Sequence, residues 1–247
     1  MSRYDFAAQR LYVEAPLAAG ARLALDRAQA NYLLNVLRLG AGDEILVFNG
    51  ADGEWRAGLE PDGRKSASLR VAARVRPQPA PRDLEYVFAP LKHARLDYMA
   101  QKAVEMGATV LRPVITRRTQ TTRLNLDRLR ANAIEAAEQC GVLALPDIAV
   151  ETRFDAWLAA FPPARLLVFC DEDAAGEPLA ALAAVAPPAA GVSVMIGPEG
   201  GFDPAERAAL LSMPHVLRLS LGPRILRADT AAVAALALVQ AALGDWR

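Results

Sequence analysis

The residues with the clearest chemical potential lie in two stretches near the C-terminus. They are Ile196-Gly197-Pro198-Glu199-Gly200-Gly201-Phe202 and Leu219-Ser220-Leu221-Gly222-Pro223-Arg224-Ile225-Leu226-Arg227. Three glycines in the first stretch let a backbone come close to a bound molecule. The stretch lacks the lysine, hydroxyl or glycine spacing of a phosphate-binding loop, and Glu199 in its middle disfavours an anionic ligand while suiting a neutral or cationic one. The second stretch repeats the pattern with another Gly-Pro pair and two arginines, Arg224 and Arg227. The chain has two cysteines and two histidines, and neither Cys140 nor Cys170 has metal-ligand spacing. No metal is therefore expected, and two free thiols suit a reducing cytoplasm.

Each stretch follows a short apolar run and precedes a helix signal, which places both at the C-terminal ends of buried strands, where open α/β sheets bind ligands. Val192–Ile196 is the run before the first. Asp203 follows as an N-cap, with Pro204 at the first helical position and Glu206 completing a capping box. Asp229-Thr230 opens a second helix over residues 231–243, whose Ala, Val and Leu content predicts burial or sharing with another subunit. Upstream, residues 84–89, 96–106 and 109–115 read as strand, helix and strand, the start of a parallel sheet. Another strand over 165–170 ends at Asp171-Glu172-Asp173. Between them, Thr116-Arg117-Arg118-Thr119-Gln120-Thr121-Thr122-Arg123 is rich in donors suited to phosphate oxygens. A helix through Gln139, opened by Asn125 or Asp127, follows it.

The first eighty residues read differently. Short strands from Arg10, at Leu23–Leu25, Glu44–Phe48, Glu54–Leu59 and 66–75 are joined by Asn-Gly and Asp-Gly turns, the pattern of a small antiparallel sheet or barrel. A helix capped by Asp26 and ended by Gly40 interrupts them. No catalytic group is evident there. Arg38, Arg56, Arg64, Lys65 and Arg70 are available for phosphates, so this part reads as a binding module. The run Arg76-Pro77-Gln78-Pro79-Ala80-Pro81-Arg82 is a semi-rigid spacer. The expected boundaries are residues 1–76 for the β domain, 77–82 for the linker and 83–247 for the second domain.

Net charge is zero but unevenly spread. Residues 1–82 carry twelve Lys and Arg against nine Asp and Glu, residues 83–130 nine against five, and residues 131–247 seven against fourteen. A positive N-terminal half and an acidic C-terminal part suit a polyanion on one surface and a small cationic ligand on another. Met1-Ser2-Arg3-Tyr4-Asp5 has no signal-peptide pattern, and no apolar run is long enough for a membrane span, so no membrane association is expected.

Taken together, Ile196–Phe202 and residues 219–231 resemble the SPOUT-class RNA methyltransferases. They most resemble the RsmE-type family that methylates N3 of a uridine in small-subunit (16S) ribosomal RNA. Residues 101–107 follow the same pattern, with Met106 where leucine is usual, as does Val36-Leu37-Arg38-Leu39 followed by Gly42-Asp43-Glu44. The resemblance implies an α/β fold with a deep trefoil knot and a mainly parallel sheet, and a small PUA-like β-barrel domain at the N-terminus. It also implies S-adenosylmethionine as cofactor, an obligate homodimer, and small-subunit ribosomal RNA or the assembled subunit as partner. The cofactor would be held by Ile196, Gly197, Pro198, Glu199, Gly200, Gly201, Leu219, Leu221, Gly222 and Leu226, with Asp171 on a third wall. Arg224 and Glu199 would serve catalysis, and Arg38, Arg117, Arg118 and Arg123 would hold RNA. The chain departs from the family at Asn31-Tyr32, where histidine is common, and at Val142-Leu143, where relatives often carry arginine. A SPOUT enzyme acting on another RNA and a non-catalytic ribosome-assembly factor are the other readings, and the intact glycines count against the second.

Overall fold

A computed structural model describes residues 8–63, 66–80, 82–120, 123–186 and 188–246. The readings made on Met1–Asp5, Arg64, Lys65, Pro81, Thr121 and Thr122 lie outside them. The chain divides into two compact units, one of residues 1–80 with 137–145 and one of residues 81–136 with 146–247.

The first unit holds β1 (Arg10–Tyr12), β2 (Arg22–Ala24), α1 (Arg27–Asn31), β3 (Glu44–Phe48), β4 (Glu54–Pro61) and β5 (Ala67–Arg76). Its strands form one sheet in the order β1-β3-β4-β5-β2, antiparallel except where β1 pairs with β3. Alternate residues such as Ile45, Val47, Ala57, Leu59, Leu69 and Val71 point to one face and close over Leu23, Ala30 and Leu33. Asp26 caps α1 in a full capping box with Gln29. The helix does not run to Gly40 as read from the sequence. Tyr32–Val36 widens into a π-turn, and Arg38 then takes a left-handed backbone at φ 58°, which breaks the helical hydrogen-bond ladder two residues early.

Residues 137–145 belong to the first unit and satisfy its polar groups. Glu138 accepts the Tyr12 amide at 2.8 Å, the Gly141 carbonyl accepts from Arg76 at 3.0 Å and the Leu143 carbonyl from Gln78 at 3.5 Å. Arg76 in turn clasps Glu54, at 2.6 and 2.8 Å, which Arg10 meets from its other side. Gln78 also accepts the Gly53 amide at 3.2 Å, so the start of the expected spacer is tied down.

The second unit contains β6 (Leu84–Phe88), α2 (His93–Glu105), β7 (Val110–Ile115), most of α3 (Leu126–Cys140), β8 (Asp147–Ile148) and β9 (Thr152–Arg153). They are followed by α4 (Phe154–Ala160), β10 (Leu166–Cys170), α5 (Pro178–Ala183), β11 (Val192–Ile196), α6 (Pro204–Leu211), β12 (Val216–Leu219) and α7 (Ala228–Leu243). Among the described residues every pairing in its sheet is parallel, in the order β12-β10-β11-β6-β7-β8, with β9 added to β7. Near-continuous apolar strands fit a parallel sheet covered on both faces. Tyr86, Phe88, Val168, Val194 and Ile196 pack towards α2 and α7. Val87, Leu167, Phe169 and Met195, one residue out of phase, pack towards α4 and α6. In α7, Ala232, Ala235, Leu236 and Val239 are buried.

A polar network centred on the buried Arg165, Ser193 and Glu85 fixes the strand register at the edge where these strands begin. Arg165 clasps Asp83 at 2.6 and 2.7 Å and donates to Ser193 at 2.7 Å, while Ser193 donates to Glu85 at 2.5 Å. Glu85 also meets Arg112. At the opposite edge Leu219 pairs with Cys170, Phe169 with Met195 and Ile196 with Phe88. Four strands therefore end side by side.

Candidate active site

The loops leaving three of those strand ends enclose a cleft of about 1040 Å³. Its walls are the loop after β10 (Asp171 to Pro178), the loop after β11 (Gly197 to Phe202) and the loop after β12 (Ser220 to Arg227), with Arg95 from α2. Of the residues the sequence assigned to a cofactor, Ile196, Gly197, Pro198, Glu199, Gly201, Leu219, Leu221, Gly222, Leu226 and Asp171 all line this cleft. Gly200 is not among the lining residues. Arg224 also lines it, exposed to solvent.

Local sequence shapes the central loop. Gly201 donates back to the Pro198 carbonyl at 2.9 Å with φ +70°, a turn geometry that side chains resist. Asp203 then caps α6, and Glu206 closes the capping box. At Gly197 the reason for glycine is different, since a Cβ there would overlap the Phe202 ring. That ring is held edge-on against Phe169, with centroids 5.3 Å apart, and tilted against Phe154 at 6.3 Å. Around Gly200 the space is open, and a Cβ would make only ordinary contact with Arg118.

The charges are arranged differently from the sequence expectation. Asp171 is 5 % exposed. Arg207 grips its carboxylate at 3.1 and 2.9 Å, and Arg218 adds a bond at 2.8 Å. Burial raises the Asp171 carboxyl, but the hydrogen bonds from Arg207 and Arg218, the Asp173 amide and the Arg207 charge outweigh it and hold it below its usual value. Asp171 therefore sets two arginines in place and does not present an unpaired carboxylate to a cation. Glu199 is ion-paired with Arg95, while Glu172 and Glu177 are exposed on the wall. The Cys170 thiol at the floor is pushed up to about 12 by burial.

The basic loop after β7 is tethered to this site. The Arg117 amide donates to Glu206 at 2.8 Å, and its guanidinium lies 3.7 Å from Asp203. Arg118 donates to the Gly200 carbonyl at 2.8 Å. Arg123 is exposed. Arg38 belongs to the first unit and is exposed. In that unit Arg56 pairs with Glu44 and Arg70 with Glu60. Among the described residues no group of His, Cys, Asp and Glu has the makings of a metal site, and no helix is long and apolar enough to cross a membrane.

Sequence reasoning missed Arg95, Arg207, Arg218 and the support of Gly197 by Phe202. Only Arg218 left a local trace, as a charge inside the apolar run Val216-Leu217-Arg218-Leu219.

Residues 78–240 match the family model of the RNA methyltransferase domain, and residues 25–72 match that of the RNA methyltransferase PUA domain. The chain is 30 % identical over 232 residues to the ribosomal RNA small subunit methyltransferase E of Rickettsia conorii, covering 94 % of each. It is 32 % identical over 239 residues to the protein of that name from Synechocystis, covering 96 % of this chain and 78 % of the relative. The crystal structure of ribosomal RNA small subunit methyltransferase E from Neisseria gonorrhoeae, bound to S-adenosyl methionine, superposes with a TM-score of 0.87 at 26 % identity, covering 97 % of this chain and all of that one. A putative methyltransferase from Legionella pneumophila, in complex with the same cofactor, gives 0.82 at 28 %, covering 95 % and 98 %.

Proposed function

The chain belongs to the RNA methyltransferase family, with a PUA-type domain preceding the methyltransferase domain, and on that premise we propose that it methylates N3 of a uridine in small-subunit ribosomal RNA. S-adenosylmethionine is its methyl donor. The observation that carries this reading is the meeting of both Gly-Pro loops in one cleft at the C-terminal edge of a parallel sheet, with the exposed Arg224 on its wall.

The cleft fits the donor in size and chemistry. Its floor is apolar, from Ile196, Leu219, Leu221 and Leu226, and its loops present backbone groups and the carboxylates of Glu172 and Glu177. A preformed cavity of this mixed character is what a nucleoside with a charged side chain requires. Bound there, S-adenosylmethionine supplies an electrophilic methyl group. The protein must hold the uridine in line with it and stabilise N3 after its proton is lost. Arg224 fits that stabilising role, because a guanidinium beside a forming uridinate acts where charge develops. Glu199, the other catalytic candidate, is engaged by Arg95.

Arg38, Arg117, Arg118 and Arg123 supply phosphate contacts in this reading. The functional unit is a homodimer in the cytoplasm. Ile225 is 98 % exposed on the second Gly-Pro loop, and such a side chain beside an active site calls for a partner surface. Ile225→Asp should yield monomers in sedimentation equilibrium.

The reaction is tested by incubating the protein with S-adenosylmethionine and small ribosomal subunits from cells lacking the gene, followed by mass spectrometry of digested nucleosides. Formation of 3-methyluridine is expected. A different methylated nucleoside, or none with subunits but one with another RNA, would replace the proposed substrate.

A further inference from the structure

Among the described residues, Arg95 is the one lining residue contributed by the chain before β10. It lies in the first turn of α2, and its Nη1 donates to Glu199 Oε1. Both side chains are well exposed, at 37 % and 40 %. The next residue, Gly200, uses its carbonyl to accept from Arg118. Guanidinium groups from the first turn of α2 and from the loop after β7 thus converge on consecutive residues of one loop. That loop answers them with a single carboxylate, Glu199, and a neutral carbonyl, Gly200.

The two contacts differ in how readily they exchange. Arg118 holds a backbone carbonyl fixed by the turn. Arg95 holds a carboxylate at the end of a flexible side chain, and an ion pair this exposed has little net strength because both charges remain hydrated and screened. A phosphate diester presents the same charge and can be gripped by two parallel hydrogen bonds.

We propose that Arg95 is a substrate-binding residue for a backbone phosphate of the RNA and that Glu199 occupies it in the free protein as a competing anion. When RNA reaches the rim, the guanidinium passes from Glu199 to the phosphate. This rests on the reading of the cleft as an RNA-methylating site, but it concerns binding and not the methyl-transfer step. Removing the Glu199 charge should therefore strengthen RNA binding, whereas a purely structural latch between α2 and the loop would weaken cofactor and RNA binding together.

The test compares the full-length protein with Arg95→Gln, Arg95→Lys, Glu199→Gln and the double variant. Affinity for small subunits from cells lacking the gene is measured across a salt series, S-adenosylmethionine affinity by calorimetry, and folding by thermal melts. Loss of one phosphate contact in Arg95→Gln should weaken subunit binding roughly tenfold and lower the salt slope by about one. Arg95→Lys should recover part of both, Glu199→Gln should bind subunits more tightly than the native chain, and the double variant should match Arg95→Gln. Cofactor affinity should change less than about twofold in Arg95→Gln, since a phosphate contact leaves the cofactor loops untouched. Weaker subunit binding in Glu199→Gln, or cofactor loss in Arg95→Gln with an unchanged salt slope, would overturn the proposal. In parallel, 3-methyluridine formation by the native chain checks the reaction itself. If methylation occurs while Arg95→Gln binds subunits normally, only the role of Arg95 fails. If the binding pattern holds without 3-methyluridine, only the assigned reaction fails. A native chain that binds no subunits removes both.

Discussion

Arg207 grips Asp171 with two nitrogens of one guanidinium, Nε at 3.1 Å and Nη2 at 2.9 Å, tying α6 to the end of β10 across the cleft wall. Arg218 from β12 joins the same carboxylate. This buried carboxylate and its two arginines hold neighbouring walls of the cleft at a fixed separation.

Asp171→Asn should destabilise the protein by about 1–3 kcal/mol, the usual cost of stripping charged hydrogen bonds from a buried group. The folded carboxyl titrates below its ordinary value, so the unfolded chain binds the proton first as pH falls. The stabilisation is complete above the unfolded value of about 3.9 and is lost as pH drops through the lower folded value. Urea midpoints from pH 6 to pH 3 should fall more steeply for the native chain than for Asp171→Asn; parallel curves would contradict this assignment.

Gly197→Ala and Gly200→Ala should behave differently. The first places a methyl group into Phe202, which Phe169 and Phe154 hold in place, and such overpacking costs about 1–3 kcal/mol. The second meets no obstacle and should leave stability and S-adenosylmethionine affinity near native values. Calorimetric titration with thermal melts would show the contrast, and equal effects at both positions would argue against it.

Arg224→Ala should leave cofactor affinity close to native and lower kcat by about 10²–10³-fold, the loss typical of removing one donor to a developing anion. Raising the pH should partly rescue the variant, because more of the uridine is then deprotonated without help. A variant altered in KM for subunits alone would reassign Arg224 to RNA binding.

The two cysteines should differ in reactivity. Cys140 is exposed, and the Cys170 thiol is pushed up to about 12 by burial, which leaves almost no thiolate at neutral pH. Iodoacetamide at pH 8 should alkylate Cys140 first, as peptide mass spectrometry would reveal. Rapid labelling of Cys170 would mean that the floor of the cleft opens.

Much of this was legible in the chain because the signals are local. Asp203-Pro204 with Glu206 specifies the start of α6 within four residues, and Asp26 with Gln29 does the same for α1. Apolar runs at 84–88, 166–170 and 192–196 became parallel strands. Helices α4 and α5 went unread. Phe154, Trp157, Leu158 and Phe161 do carry a helical period, but over barely two turns, and Pro178 opens α5 within a segment whose Ala and Pro content resembles a connector.

The sequence by itself determined the fold class, the two Gly-Pro loops and their places at strand ends, since capping, turn chemistry and apolar periodicity act between residues a few positions apart. Tertiary structure alone decided that Asp171 faces Arg207 and Arg218, that Glu199 meets Arg95, that Gly197 is needed for Phe202, and that residues 137–145 complete the first unit. Those partners are set by strand order and register in a sheet whose neighbours are distant in sequence, and a guanidinium carries no local mark of the carboxylate it will meet.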